Sequence, residues 1–468
     1  MEQDFWWMLM TVLIGGCVAS VWLLKRANEW FFVSRLGENK YVLPPGDMGW
    51  PVIGNMLSFF IAFKFGNPES FISNFATRFG RTGIYKAFMF GSPSIILTRP
   101  EMCRQVLLDG QIFKTGWPKV ACELVGRNSF LGLHGEEHKR LRRLTAAPIS
   151  GNKALATYHE HIKDVVTTAL DEWASREEPI EFINELRIMT FRIIMHIFMS
   201  VESDPILETS EKLYRELNQG IRALGINLPG FAYHKALKAR KKLVRILQAA
   251  VDGRRARKKV DSSEKDQDMM DMLLEIEDEN GKRLDDEEII DLILMYLNAG
   301  HESTALAMMW ATLFLEQNPE YLSKAKAEQE EIVSRRKSTE GLSFQEIKQM
   351  EYLPKVIDET LRTINISAFT FRQATCDTNI GGYTIPKGWK VLVWFRAVHL
   401  DSGNYSNPKV FDPSRWNEYK PKAGSYLPFG AGSRLEQVNP ECSLIYLPHI
   451  RPANNCLAKI IKVRPSSS

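Results

Sequence analysis

The hydrophobic pattern is strongest at the start of the chain, where Phe5–Leu24 is a run of twenty residues without a charge. A helix of that length spans about 30 Å, the hydrocarbon thickness of a bilayer. Glu2 and Asp4 precede the run, and Lys25 and Arg26 follow it. Because the positively charged flank stays in the cytosol, the pattern predicts a single membrane anchor followed by a cytosolic domain. A cleaved signal peptide is the alternative, but its positive charges would precede the apolar run.

Helical periodicity dominates between about residues 100 and 365. It predicts helices over 135–148, 153–175, 181–200, 206–224, 234–260, 285–318, 319–335 and 350–364. Short alternating runs bounded by Gly and Pro predict strands at Ile84–Phe90, Ser94–Thr98, Tyr383–Pro386 and Trp389–Trp394. The fold class that follows is mainly α with a small β portion.

The chain divides into three parts by composition. Residues 1–24 are the predicted anchor, residues 25–50 a linker, and residues 51–468 one large domain. Within the linker, Leu43–Gly46 contains two prolines and a glycine, which prevent helix and strand and predict a hinge.

Composition and charge narrow the function classes. The 468 residues are 44% hydrophobic, which is enough for a large core. The net charge of +4 gives no indication of nucleic-acid binding. The six cysteines form no Cys-x-x-Cys pair, so neither a zinc site nor a disulfide framework is predicted.

The longest predicted helix carries the most unusual local pattern. Asp285 followed by Glu288 predicts a capping box at its start. The helix is apolar on nearly every face, yet it contains Gly300 followed by four polar residues, His301 to Thr304. A glycine inside a helix costs about 1 kcal/mol relative to alanine, and each buried polar group needs a partner. Either a functional site or close helix packing at Gly300, with internally satisfied polar groups, accounts for the pattern.

Three further groups of residues give only weak indications of function when each is considered alone. Glu359 and Arg362 are three residues apart and share a helix face, as many surface ion pairs do. Arg415 lies in an aromatic turn. His138 and Arg142 are four residues apart, a spacing that suits carboxylate recognition but also fits any basic amphipathic helix.

The glycine-rich loop at 427–436 reads LPFGAGSRLE. It lacks the Gly-Lys-Ser/Thr of a phosphate loop and the third glycine of a dinucleotide fingerprint. Nucleotide binding is therefore a poor interpretation of this loop.

Taken together and in this order, the motifs resemble those of plant microsomal cytochromes P-450. The resemblance runs from Pro44 almost to the end and rests on LPPGDMGWPVIGNMLSF, GEEHKRLRRLTAAP, LMYLNAGHEST, KVIDETLR and KAGSYLPFGAGSR. It implies the cytochrome P-450 fold, a haem cofactor, NADPH-cytochrome P-450 reductase as partner, and attachment to lipid of the endoplasmic reticulum membrane. It also implies monooxygenation of a small terpenoid substrate. Within the family the likeness is strongest to enzymes that oxidise a diterpenoid acid toward gibberellins, and triterpenoid (β-amyrin-type) oxidases are the alternative.

The same resemblance implies roles for individual residues. Those that would act above the iron, relaying protons and leaving room for oxygen, are Glu302, Ser303 and Gly300. Those that would bind the cofactor are His138, Arg142, Arg372, Arg434 and Phe429. Those that would form the family's structural Glu–Arg–Arg knot are Glu359, Arg362 and Arg415.

One departure from the family pattern concerns the metal ligand. The family pattern Phe-x-x-Gly-x-Arg-x-Cys places the thiolate ligand of the haem iron two residues after Arg434, and Glu436 stands there instead. The sequence after Leu435 resembles the family's terminal hairpin, so the Cys and the helix behind it, roughly 20 residues or five to six turns, are missing between 435 and 436. Cys442 is no substitute, because it lies eight positions beyond Arg434, past a proline.

The missing helix predicts a cost to folding as well as to catalysis. Burial of about six large apolar side chains contributes on the order of 10–15 kcal/mol, which is comparable to the whole stability of a domain. The sequence therefore predicts a chain that folds poorly, binds haem poorly and is inactive. A non-catalytic, membrane-bound binding protein is the alternative from another class.

Overall fold

The computed structural model describes residues 2–36, 42–65, 67–150, 152–201, 204–221, 223, 225–258, 268–336, 341–418, 421–431 and 456–460. The helices are α1 Glu2–Phe32, α2 Met56–Phe65, α3 Glu69–Phe79, α4 Pro100–Leu108, α5 Lys119–Val125, α6 Gly135–Ser150, α7 Asn152–Ser175, α8 Phe182–Met199, α9 Asp204–Ile221, α10 Ala232–Lys258, α11 Met269–Glu275, α12 Asp286–Gln317, α13 Pro319–Arg335, α14 Phe344–Lys348, α15 Tyr352–Ile364, α16 Phe395–His399 and α17 Arg415–Glu418. The strands are β1 Ile84–Met89, β2 Ser92–Leu97, β3 Phe113–Thr115, β4 Ile180–Glu181, β5 Thr370–Ala374, β6 Thr378–Ile380, β7 Tyr383–Ile385, β8 Lys390–Val393 and β9 Leu457–Ala458. The expectation of a mainly α fold with a small β portion is confirmed.

The long helices lie where the periodicity predicts them, with ends that differ by a few residues. Helix α2 is one that the pattern does not reveal. Its sequence, MLSFFIAFKF, is apolar almost throughout, and a short run without periodicity gives no signal that separates a helix from a strand.

The main sheet has the strand order β1-β2-β8-β5-β3. Strands β1 and β2, which correspond to two of the predicted strands, form an antiparallel pair around Gly91, with Met89 opposite Ser92. Strand β8 then joins β2 in parallel, and β5 joins β8 in antiparallel fashion. This order brings Arg372 of β5 next to Thr115 and Val391, residues that are distant in the sequence.

Helix α12 runs through the core. The predicted capping box is present, because Asp285 accepts from the Glu288 amide at 2.8 Å and Glu288 accepts from the Asp285 amide at 3.0 Å. The side chains from Ile289 to Asn298 are all buried, which is why this helix carries no polar face in its first half. It packs against α8, and that contact positions the polar residues after Gly300.

The Pro-rich segment is hydrogen-bonded to the sheet and to α1. The Lys86 amide of β1 donates to the Pro45 carbonyl at 3.0 Å. Asn28, buried on α1, donates to the carbonyls of Met48 at 3.0 Å and of Trp50 at 2.6 Å. Backbone and side-chain hydrogen bonds therefore fix residues 42–50 and the end of α1 to the sheet. None of the helices in the described part of the chain has both the length and the hydrophobicity that a membrane span requires.

Candidate cofactor and catalytic site

Gly300 lies where α12 crosses α8. A Cβ atom added at Gly300 would approach Ile194 Cδ1 to 2.8 Å, which is closer than real Cβ contacts. The absence of a side chain therefore permits close packing of the two helices. The sequence leaves two explanations open for this glycine, a functional site or close helix packing. The contact with Ile194 supports close helix packing.

Glu302 is held by a guanidinium from α8. Arg187 Nε lies 2.8 Å from Glu302 Oε2, and Arg187 Nη2 lies 2.5 Å from Oε1, which makes a two-point ion pair. The side chains are 14% and 5% exposed. The carboxylate that the resemblance places above the cofactor thus has a fixed orientation, since both oxygens accept from one planar donor.

Ser303 is buried and satisfied within its own helix, because its Oγ donates to the Ala299 carbonyl one turn back. This back-bonding is common for a hydroxyl in the middle of a helix. The same oxygen must leave that bond to donate elsewhere.

His301 occupies an aromatic pocket. Its ring lies edge-on to Phe191 at 5.3 Å and to Tyr214 at 5.8 Å between centroids. Neither ring nitrogen has a hydrogen-bond partner among the described residues. Burial lowers the pKa of His301 to about 4, so the imidazole is neutral at physiological pH.

Helix α6 carries His138, Arg140 and Arg142. His138 is buried and its ring lies 5.3 Å from that of Phe130, which in turn lies 6.0 Å from Tyr296 of α12. Arg142 is partly buried. A buried imidazole and a guanidinium one turn apart suit an anionic ligand.

Arg140, between them in sequence, has a structural role that the pattern does not reveal. Its guanidinium pairs with Asp278 at 2.6 Å and with Glu288 at 3.0 Å. These contacts tie α6 to the turn before α12 and to the first turn of α12. The position of His138 and Arg142 therefore depends on a buried ionic contact with two other elements.

Arg372 is buried on β5, with 4% of its surface exposed. Its Nη1 donates to the Phe371 carbonyl at 3.2 Å. A guanidinium that is buried at this position is planar and permanently charged, and such a group suits a carboxylate ligand.

The structure brings Glu359, Arg362 and Arg415 together. Arg362 makes a two-point ion pair with Glu359 at 2.8 and 2.7 Å, and both side chains are fully buried. Arg415 approaches the same carboxylate at 3.4 Å. Trp416 Nε1 and the Asp412 amide donate to its two oxygens, each at 3.1 Å. We call this cluster the knot.

Phe429 lies partly buried in a turn that is closed by the Gly430 amide and the Leu427 carbonyl at 3.2 Å. Arg434 and Glu436 lie outside the described residues. The structure therefore places the first half of the glycine-rich loop and gives no geometry for the position of the axial ligand.

Among the described residues, several side chains have the charge that suits the anionic edge of a haem, and Cys103 and Cys122 are buried or partly buried thiols. His138, Arg142 and Arg372 are cations or potential cations that suit two propionates. Cys103 donates to the Leu97 carbonyl, and burial raises the pKa of its thiol well above the usual range. Burial likewise raises the pKa of the Cys122 thiol. No cysteine occurs on the described segment 421–431 that leads to the ligand position.

Two residues of the site are not predicted from the sequence. Arg187 is a charged residue between Leu186 and Ile188 in a mostly apolar helix, and this isolated charge is the signal that was available for it. Trp416 follows Arg415 directly, and nothing in the pattern indicates that its indole reaches Glu359.

Comparison with known proteins decides the family. The family model described as Cytochrome P-450 matches residues 44–435. The chain belongs to the cytochrome P-450 family. This is a family of haem-dependent monooxygenases, and its match to the present chain ends one residue before Glu436.

Relatives of this cytochrome P-450 are similar over nearly their whole length. Ent-kaurenoic acid oxidase 2 of Arabidopsis thaliana is 52% identical over 482 positions that cover 98% of each chain. The 7,8-epoxymelianol synthase of Ailanthus altissima is 48% identical and covers 99% of this chain and 98% of its own. The solved structure of a cyanobacterial CYP120A1 with bound retinoic acid matches with a TM-score of 0.75 and 28% identity, covering 85% of this chain and 88% of its own.

The Arabidopsis alignment is also longer than this chain. The alignment spans 482 positions, whereas the whole chain has 468 residues. At least 14 aligned positions (482 minus 468) therefore have no counterpart here.

Proposed function

We propose that this chain is a terpenoid-oxidising cytochrome P-450 in which an internal deletion between residues 435 and 436 has removed the axial cysteine and the helix behind it. The observation that carries the proposal is Glu436 at the position of the thiolate ligand. The family match that ends at 435 and the gap of at least 14 positions in the Arabidopsis alignment support it. A deletion explains both, whereas a point substitution at 436 explains neither.

The substrate class that we propose is a diterpenoid acid, as in ent-kaurenoic acid oxidation toward gibberellins. The supporting observation is the 52% identity to a relative named for that substrate. A triterpenoid substrate is the second candidate, because a relative at 48% identity is named as a synthase of 7,8-epoxymelianol.

The residues in this chain have the following proposed roles. His138, Arg142 and Arg372 would hold the cofactor propionates through charge-assisted hydrogen bonds, and Phe429 and Arg434 of the glycine-rich loop would also bind the cofactor. Glu302 holds or passes a proton under the control of its ion pair with Arg187. Ser303 donates from a hydroxyl that first leaves the Ala299 carbonyl, and Gly300 lets α12 approach α8.

The loss of the thiolate is what disables the reaction. Bound haem with a thiolate ligand receives electron density that favours O–O cleavage. A carboxylate at 436 is a harder and weaker donor and does not replace that contribution. We propose that the chain as written is inactive as a monooxygenase.

Attachment to the endoplasmic reticulum membrane through α1, and electron supply by NADPH-cytochrome P-450 reductase, complete the proposal. The uncharged run at Phe5–Leu24 supports the attachment. Exposed apolar side chains on α1, among them Trp7 at 73% and Trp22 at 56% exposed, also support contact with lipid.

Three chains test the proposal when each is produced in microsomes with the reductase. The first is the unaltered chain, the second carries Glu436→Cys, and the third carries the missing segment of the Arabidopsis relative between Leu435 and Glu436. We expect the red-shifted Soret band of thiolate ligation, in the reduced carbon monoxide complex, only from the third. A thiolate spectrum from the unaltered chain would contradict the proposal.

The Glu436→Cys chain separates the ligand from the helix. It restores the sulfur without the roughly 20 residues that follow it, so a thiolate spectrum from this chain contradicts the need for the helix. Product analysis of the repaired chain with ent-kaurenoic acid and with a melianol-type triterpenoid then decides the substrate class.

A non-catalytic, membrane-bound binding protein is the second candidate. The intact knot and the close packing of α8 on α12 favour it, because a folded chain without a thiolate retains both. Stable accumulation of haem-free protein in microsomes supports this candidate, and rapid degradation argues against it.

A further inference from the structure

Three consecutive residues at the entrance to the glycine-rich loop, Ser425–Leu427, are each held by a side chain. We call them the entry segment. Its contacts are Tyr405 Oη to the Ser425 carbonyl at 3.0 Å, Tyr426 Oη to Asp358 Oδ1 at 2.9 Å, and the Leu427 amide to His399 Nε2 at 2.7 Å. The backbone that leads to Phe429 is therefore fixed at three successive residues, the last of which is the first residue of the loop.

His399 makes the contact nearest to the loop. Its side chain is fully buried at the end of α16, and its ring is stacked on Tyr426 with 5.5 Å between centroids. Nε2 accepts from the Leu427 amide, so Nε2 carries a lone pair and the ring proton lies on Nδ1. Nδ1 has no hydrogen-bond partner among the described residues.

The neutral state of this imidazole has a clear cause. Burial lowers the pKa of His399 to about 3, and the positive charges of Arg362 and Arg396 act in the same direction. A protonated ring would lose the lone pair that the Leu427 amide requires.

His399 also belongs to the knot. Its backbone carbonyl accepts from Arg362 Nη1 at 3.0 Å, and Arg362 holds Glu359 at two points. One residue thus contacts the knot through its main chain and the entry segment through its side chain. His399 therefore makes the direct side-chain link from the knot to the Leu427 amide, whereas Tyr405 and Trp416 link the knot to Ser425 and Tyr426.

We propose that His399 is a positioning residue for the cofactor-binding loop: its Nδ1-protonated imidazole accepts the Leu427 amide hydrogen and sets the direction of the backbone two residues before Phe429. The role goes beyond the proposed function, because the contact depends neither on the substrate nor on the residue at position 436. A failure of this proposal leaves the proposed function standing, and the reverse also holds.

Hydrogen exchange of single amides in the full-length chain tests the proposal. His399→Phe keeps an aromatic ring against Tyr426 and removes the acceptor. His399→Gln places an amide oxygen at a similar reach and keeps an acceptor. We expect the Leu427 amide to exchange about tenfold faster or more in His399→Phe, and within about threefold of the unaltered chain in His399→Gln.

The Asp412 amide is the internal control, because it donates to Glu359 within the knot at 3.1 Å. Its exchange rate is expected to stay constant in both variants. An unchanged Leu427 amide in His399→Phe overturns the proposal. So does equal acceleration in His399→Gln, since the acceptor then has no part in the effect. Acceleration of the Asp412 and Leu427 amides together also overturns it, because the histidine then supports the whole knot.

A measurement on the unaltered chain needs no variant. The imidazole carbon and nitrogen chemical shifts of labelled His399 report which nitrogen carries the proton. We expect the less common Nδ1-protonated tautomer at neutral pH. An Nε2-protonated ring excludes the bond from Leu427 and overturns the proposal.

Discussion

Arg187 of α8 and Glu302 of α12 face each other as a two-point ion pair, with Nε–Oε2 at 2.8 Å and Nη2–Oε1 at 2.5 Å. Glu302 lies two residues after Gly300 in α12, and Arg187 lies seven residues, about two turns, before Ile194 in α8. A charged pair in a crossing of two apolar helices has lost most of its hydration, so each partner depends on the other. The proposed proton-handling carboxylate is thus held by a helix that the local motif does not include.

Removal of Arg187 alone leaves Glu302 buried without its cation. Arg187→Ala is expected to lower the free energy of unfolding by about 3–5 kcal/mol. The double variant Arg187→Ala/Glu302→Gln removes the stranded charge and is expected to recover at least half of that loss. Denaturant unfolding of the detergent-solubilised chains gives both values.

Arg245→Ala is the matched control, because Arg245 is an exposed arginine within the long helix α10. A change within about 0.5 kcal/mol is expected for it. If the double variant is no more stable than Arg187→Ala, the ion pair does not account for the loss.

Glu359 is expected to be the most sensitive residue of the knot. Glu359→Gln keeps the size and removes the charge that Arg362 and Arg415 share, so two buried or nearly buried guanidinium groups lose their anion. A loss of about 3–5 kcal/mol in the free energy of unfolding is expected. Glu351→Gln makes the same change at an exposed position at the start of α15 and is expected to alter stability by about 0.5 kcal/mol at most.

Gly300 gives a test of helix packing. Alanine in place of a mid-helix glycine normally stabilises by about 1 kcal/mol. Gly300→Ala is expected to show no such gain, because its methyl group meets Ile194 Cδ1. In an Ile194→Val background that carbon is absent, and Gly300→Ala is then expected to stabilise by about 1 kcal/mol.

Gly253 is the matched control for this cycle. It lies in α10, and a Cβ atom added there meets nothing within 4 Å. Gly253→Ala is expected to stabilise by about 1 kcal/mol in both backgrounds. Equal effects of Gly300→Ala with and without Ile194 Cδ1 would argue against the packing explanation.

Acid is expected to destabilise the fold through His301. Its pKa falls from the usual 6.5 to about 4 in the fold, mainly because of burial. The unfolded chain therefore binds the proton first as the pH drops, and the stability present above pH 6.5 is lost between about 6.5 and 4. From pH 7.5 to pH 5 this linkage amounts to about 2 kcal/mol.

His301→Phe isolates that contribution. The ring contacts with Phe191 and Tyr214 remain possible, and both ring nitrogens disappear. The free energy of unfolding is measured at pH 7.5 and at pH 5 for both chains. The difference between the two pH values is expected to be about 2 kcal/mol smaller for the variant than for the unaltered chain. An equal loss in both chains would place the acid sensitivity elsewhere.

The sequence by itself determined the fold class, the long helices and the departure at Glu436. Amphipathic periodicity and the capping pair Asp285 and Glu288 are local properties, so α12 could be placed without its neighbours. The motifs also predicted which residues belong to the family's pattern. The absence of a cysteine after Arg434 is likewise a fact of the sequence and needs no coordinates.

Only the tertiary structure decided which of these residues touch. Arg187 and Glu302 are far apart in the chain, and the same holds for His399 and Leu427 and for the parallel strands β2 and β8. Such contacts arise from the way helices and strands pack as rigid units, which no local pattern encodes. An apolar helix face or a buried charge in the sequence indicates that a packing or ion-pair partner is needed. Only the fold determines which residue that partner is.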